Sequence, residues 1–145
     1  MLVVVEEIVP VSVPFNVVTI DHVVLRTADA AGLEAFYTDI IGCPVEKRQE
    51  QIGLTQLRAG QSLIDIVALK AGEIAQSPGS AGGNMDHLCL RIQPFDAEAI
   101  RRHLATNGIS CGEAVPRYGA EGSGPSIYFE DPDGNRIELK GPPAS

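Results

Sequence analysis

Thr19-Ile20-Asp21-His22-Val23-Val24-Leu25-Arg26 returns in the second half of the chain as Asn84-Met85-Asp86-His87-Leu88-Cys89-Leu90-Arg91. The shared pattern is Asp-His, two further positions, then Leu-Arg, and the segments downstream of the two copies match each other as well. Leu33, Phe36, Tyr37, Ile40 and Ile41 recur at i, i+3, i+4, i+7 and i+8, the apolar stripe of an amphipathic helix. Asp29 suits its N-cap and Gly42 its end. After the second copy Asp96 caps a stripe of Ala97, Ile100, Leu104 and Ala105, and Gly108 stops it. Strand patterns come next at Pro44–Arg48, Leu54–Ala59 and Gln61–Ala68, matched by Ser110–Val115, Ser126–Phe129 and Asn135–Lys140, with Asp133-Gly134 as a hairpin turn. A fixed order repeated once is the mark of a duplicated unit. The chain reads as an α+β fold of two tandem βαβββ modules, residues 16–70 and 84–140. They are joined by a Gly/Ser/Pro-rich linker over 71–83 and end in a short tail over 141–145.

Strand parity sorts the side chains. In the first strand Asp21, Val23 and Leu25 share one face, and His22, Val24 and Arg26 the other. Leu63-Ile64-Asp65-Ile66-Val67 and Arg136-Ile137-Glu138-Leu139-Lys140 each place one carboxylate on the face opposite two aliphatics. Four strands thus pair an aliphatic face, fit for helices to cover, with a face bearing His22, Asp65, His87 or Glu138. A single histidine in a strand is usually a hydrogen-bonded structural residue, and a single carboxylate a solvated one. The repeat doubles both in register. Two imidazoles and two carboxylates suit one divalent ion, Zn²⁺, Ni²⁺, Fe²⁺, Co²⁺ or Mn²⁺, and leave coordination positions for substrate. His103, within the second helix, reads as a surface residue.

The 145 residues suffice for one core, and the net charge of −8, without a basic stripe, argues against nucleic acid. Cys43, Cys89 and Cys111 show no Cys-x-x-Cys spacing, which points to a reducing, cytoplasmic setting rather than a disulfide framework. The Val-rich start, interrupted by Glu6 and Glu7, lacks the basic flank and cleavage site of a signal peptide. No apolar run reaches the length of a membrane span. Residues 1–15 read as an extended segment suited to a sheet edge or a subunit interface.

The Asp-His openings, Phe36-Tyr37-x-x-Ile40-Ile41-Gly42 and Tyr128-Phe129-Glu130-Asp131-Pro132-Asp133-Gly134-Asn135-Arg136-Ile137-Glu138-Leu139 together resemble the vicinal oxygen chelate superfamily of glyoxalases, fosfomycin-resistance proteins and extradiol dioxygenases. The resemblance covers about residues 18–140. It implies a single glyoxalase-like domain, with a cupped mixed sheet around one metal and helices outside. Its ligand positions fall on His22, Asp65, His87 and Glu138. Asp65 departs from the glutamate common in glyoxalase-like members.

The implied activity is that of a metal-dependent lyase or isomerase acting on a small oxygen-rich substrate, a thiol adduct among the candidates. The metal would chelate neighbouring oxygens, and Glu138 or Asp65 would shuttle a proton. A fosfomycin-type thiol transferase or hydrolase, an extradiol dioxygenase and a non-catalytic binding or sequestering module are the alternatives. Arg26, Arg91 and Arg117 are candidates to bind an anionic substrate, and Tyr118 to donate a hydrogen bond. Arg117 and Tyr118 fall in Gly112–Pro125, a Gly-rich loop with a Pro-Arg-x-Gly-Ala-x-Gly stretch similar to some relatives. Open sheet edges and the apolar segment 2–13 predict a two-fold homodimer, its modules paired within a chain or exchanged between chains.

Overall fold

Each Asp-His pair stands at the threshold of a strand, and each strand leads into a helix on the same terms. The computed structural model describes residues 14, 16–73 and 85–144. The elements are β1 (His22–Thr27), α1 (Ala30–Ala35) running on into a π-helical turn (Phe36–Ile40), β2 (Val45–Gln49), β3 (Leu54–Ala59) and β4 (Ser62–Ala68). The second set is β5 (Leu88–Arg91), α2 (Ala97–Thr106), β6 (Val115–Gly119), β7 (Gly122–Glu130) and β8 (Arg136–Lys140). Two tandem βαβββ modules therefore form the fold. The predicted segment 1–15, apart from residue 14, and most of the predicted linker lie outside the described residues.

The helix starts are set by their caps. The Asp29 carboxylate accepts from the Gly32 amide at 3.0 Å and Asp96 from the Ala99 amide at 3.1 Å, each satisfying a donor that has no partner within the helix. Gly42 closes the first helical segment at φ +88°, a conformation only glycine takes without strain.

Each module builds a four-stranded mixed sheet, ordered β1-β4-β3-β2 and β5-β8-β7-β6. In both, the first strand lies parallel to the last and the remaining pairs are antiparallel. Among the described residues β1 pairs only with β4, and β5 only with β8. The two sheets are thus separate within the chain, one ending on the strand that opens with His22 and the other on the strand that His87 directly precedes.

The parity reading holds at the core: Ile64, Ile66, Ile137 and Leu139 are buried with Leu33, Phe36, Tyr37, Leu57, Leu104, Ile127 and Phe129 in one apolar cluster. That cluster spans both modules, because the first helical segment reaches the second sheet. The rings of Phe36 and Phe129 lie 6.3 Å apart. The Tyr37 hydroxyl donates to Asp131 at 2.7 Å. Burial and the Asp131 carboxylate push the Tyr37 hydroxyl far above its ordinary range, so it stays a donor. Asp131 also accepts from the amides of Asp133 and Asn135 and from the Asn135 side chain, fixing the turn between β7 and β8. His103, expected at the surface, is exposed, yet its ring lies 2.8 Å from the Ile40 carbonyl and so also bridges the modules.

Removing the hydroxyl leaves a buried carboxylate short of one donor. Tyr37→Phe should therefore lower stability by about 1–3 kcal/mol while keeping the ring's packing. Urea unfolding checks this, and an unchanged midpoint would mean that the bond contributes nothing net.

Two expectations need correction. The strand placed at Ser110–Val115 begins only at Val115, and Gly112–Pro125, read as a Gly-rich loop, holds the β6–β7 hairpin. Arg117 pairs with Gly124 and Tyr118 with Ser123 there. Pro116 lies opposite Pro125, and prolines on a strand hide it from a reading by composition.

Candidate functional site

The face of each sheet that turns away from the shared core carries the predicted donors. In the first module His22 lies opposite Leu63, and Asp65 stands two residues further along β4. In the second, Cys89 lies opposite Glu138 and Leu88 opposite Ile137; one step back, His87 stands beside Arg136, again two residues from the carboxylate. The repeat has kept the same His–carboxylate offset in both sheets. The residues beside it have diverged: Gln56 lies opposite Asp65, where Tyr128 lies opposite Glu138. Leu63 likewise takes the place that Arg136 holds in the second module.

Both histidines are oriented by the residue before them. His22 Nδ1 lies 2.7 Å from the Asp21 carboxylate, and His87 Nδ1 lies 2.6 Å from that of Asp86. A carboxylate accepts, so Nδ1 carries the hydrogen and Nε2 is left as the donor atom for a metal. This is the outer support that metal-binding histidines ordinarily have. Parity puts Asp21 with the core-facing residues, but it precedes β1, and its side chain is free to turn to the imidazole. The Asp-His dipeptide, present twice, is the signal for it. Asp21→Asn and Asp86→Asn should each lower divalent-metal affinity about 10–100-fold, measured by competition with a chromophoric chelator. Unchanged affinity in both would remove the aspartates from the site.

The two carboxylates differ in their surroundings. Glu138 is 5 % exposed, accepts from Ser126 Oγ at 2.7 Å, and has His87 Nε2 3.2 Å away. Burial works against its charge, but hydrogen bonding from Ser126, Tyr128 and Cys89, together with the nearby His87, outweighs it and holds the carboxyl below its usual range. Glu138 is thus a firmly ionised, firmly oriented donor. Burial and the same carboxylate push the Cys89 thiol up to about 11, so it is a neutral neighbour. Asp65 is 4 % exposed, and its only side-chain hydrogen bonds among the described residues come from Gln56 Nε2, 3.3 Å from each oxygen. Hydrogen bonding to Asp21 raises the pKa of His22, and the Asp65 charge adds to it.

One chain brings these donors together as two pairs and not as one set. Among the described residues no group of three or more His, Cys, Asp or Glu is placed to hold a metal ion. The donors fit a divalent cation in kind; His22 with Asp65 and His87 with Glu138 stand on separate sheets. The anion-binding candidates are divided as well. Arg26 is ion-paired to Glu73, and Arg91 to Glu121 at 2.7 Å. Tyr118 is exposed and distant in register from the donors. Arg117 lies over the ring of Tyr128, 4.8 Å from its centroid, and Arg136 lies 4.1 Å from the same centroid. Sequence reading missed Tyr128 and Arg136, although both fall within the motif that ends on Glu138.

Comparison with known proteins places the fold. The chain is 32% identical to virulence protein STM3117 of Salmonella typhimurium over 126 residues, 83% of this chain and 81% of that protein. The crystal structure of that protein superposes with a TM-score of 0.71, covering 88% of this chain and 99% of the other at 27% identity. A glyoxalase domain-containing protein of Mycosarcoma maydis, RDO1, is 33% identical over 129 residues, covering 86% of this chain and 68% of its own. At the level of fold alone, lactoylglutathione lyase from Agrobacterium tumefaciens is similar with a TM-score of 0.60, 19% identity, and 85% and 92% coverage. The model of the Glyoxalase/Bleomycin resistance protein/Dioxygenase superfamily matches residues 19–139, from the first Asp-His pair to the strand of Glu138, and this chain belongs to that superfamily.

Proposed function

We propose that two copies of this chain form a metal-dependent lyase or isomerase of glyoxalase type, acting on a small substrate with neighbouring oxygens. The observation that carries the reading is the doubled, aspartate-supported histidine with a carboxylate at the same offset in each sheet. The pairs are separated within the chain, and of the open edges β1 begins at His22 and β5 directly follows His87. Setting β1 of one copy beside β5 of another covers two edges that would otherwise stay unpaired. The two-fold operation makes two such junctions. Each site then draws His22 and Asp65 from one copy and His87 and Glu138 from the other.

A divalent cation held there supplies a Lewis acid that polarises the oxygens of a chelating substrate. Asp21 and Asp86 keep the imidazoles in the binding tautomer. Glu138, ionised and held by Ser126, contributes fixed negative charge and a weakened base. Asp65 is the less constrained carboxylate, so we assign the proton transfer to it: it accepts a proton from one substrate carbon and returns it to the adjacent atom. The three cysteines, all unpaired, support a reducing cytoplasmic setting.

Metal analysis combined with a panel of hemithioacetals and epoxides tests the reading. Turnover of hemithioacetals that disappears in Asp65→Asn, with metal still bound, is the expected result. Epoxide opening would favour the fosfomycin-type alternative, and metal binding with no turnover a binding module.

A further inference from the structure

We infer that Gln56 is a positioning residue for Asp65, the single side-chain donor that fixes the direction of that carboxylate. The inference rests on the proposed metal site for what Asp65 does there; the contact itself lies within one chain.

Strand register aligns the surroundings of the two carboxylates place by place. Glu138 has Cys89 opposite it on β5 and Tyr128 opposite it on β7, with Ser126 two residues before Tyr128, opposite Lys140. All three side chains hydrogen-bond to Glu138. Around Asp65 the same places fall to Val24 on β1, Gln56 on β3 and Leu54, which lies opposite Val67. Two of the three donors are hydrocarbon in the first module, and Gln56 is what remains. It is aimed: Nε2 lies 3.3 Å from each Asp65 oxygen. A carboxylate only accepts, so the amide nitrogen and not its oxygen faces Asp65.

This single contact carries more weight than any one of those at Glu138. Asp65 is 4 % exposed, and a carboxylate withdrawn from water depends on the groups that replace its hydration. Glu138 keeps two donors when it loses one, whereas Asp65 keeps none. The form of the contact suits a carboxylate that must still meet a cation or a proton. At 3.3 Å the bonds are long for N–H···O, so neither oxygen is strongly claimed. The amide is neutral, so it directs the charge without cancelling it, as an arginine in its place would.

The test uses the full chain, first stripped of metal and then titrated with Zn²⁺ or Co²⁺. In the metal-free protein the two side-chain amide protons of Gln56, assigned through Gln56→Leu, should resonate well apart, and Asp65→Ala should bring them together. Gln56→Leu keeps the bulk and removes the donor. It should weaken Zn²⁺ binding about 10–100-fold, read by competition with a chromophoric chelator, and alter the visible spectrum of bound Co²⁺. Gln56→Met, closer in length, should behave alike and stands in if the leucine variant does not fold. Val24→Thr exchanges a methyl for a hydroxyl beside Asp65, at the place that Cys89 holds in the second module. Added to Gln56→Leu, it should recover most of the lost affinity. A glutamine that only packs would shift the urea midpoint and leave the Co²⁺ spectrum alone. Unaltered Zn²⁺ affinity and Co²⁺ spectrum in both Gln56 variants overturn the inference, as does a loss that Val24→Thr leaves untouched. The metal-free spectra keep the two readings apart. An amide contact in wild-type protein that takes up no metal would sink the metal centre and leave Gln56 as the holder of Asp65. Metal uptake with no amide contact and no effect of Gln56→Leu would do the reverse.

Discussion

Protein stripped by a chelator and re-exposed to Zn²⁺ should take up about one ion per chain, and the His22→Ala/His87→Ala variant should take up none. Both histidines present Nε2 because an aspartate holds Nδ1, so removing the rings removes the neutral donors and leaves carboxylates alone. Each single variant should cost more than the about 10–100-fold expected from losing a supporting residue. Acid should release the ion too, since a protonated imidazole cannot coordinate. The sign at His22 is definite. Its hydrogen bond to Asp21 raises its pKa, so the proton competes from a higher pH than at an ordinary histidine near 6.5. Affinity should therefore begin to fall before pH reaches that value. Full occupancy in the double variant, measured by elemental analysis after gel filtration, would eliminate the donor set.

Mixing two inactive variants should restore activity. His22→Ala and Glu138→Gln disable opposite halves of the proposed exchanged site. A heterodimer then has one junction carrying both lesions and one carrying neither. Random mixing should return about a quarter of wild-type activity: half the dimers are mixed, each with one of two sites intact. Pairing of modules within a chain would leave every site with a lesion, and no activity would return although heterodimers had formed. A monomeric mass at working concentration would reject the assembly itself.

The modular architecture is legible because it is local. Asp29 and Asp96 cap the helices that their positions announce, and the aliphatics flanking Asp65 and Glu138 are buried as alternation requires. The candidate donors stand out because the duplication repeats them in step. What eludes a linear reading is tertiary. The ion pairs that occupy Arg26 and Arg91 join residues far apart in sequence, and no periodicity marks them. The β6–β7 hairpin is concealed by its prolines and glycines, whose low strand propensity is overridden by pairing with β8. The contact of His103 with the Ile40 carbonyl depends on how the two modules meet, which neither module encodes alone.

The divergence of the two modules has a stereochemical consequence. Two identical half-sites facing one another would accept a substrate in either of two orientations related by their symmetry, and would present both of its faces to the same base. Here one wall offers Gln56 and Leu63, while the other offers Tyr128 and Arg136. With a cationic wall on one side and a neutral one on the other, a charged end has a single resting place. In the proposed site the uncharged end would then always meet Asp65 from the same direction. In the proposed exchanged site, drift between the copies would convert a degenerate cleft into one with a defined sense and confine proton transfer to one prochiral face.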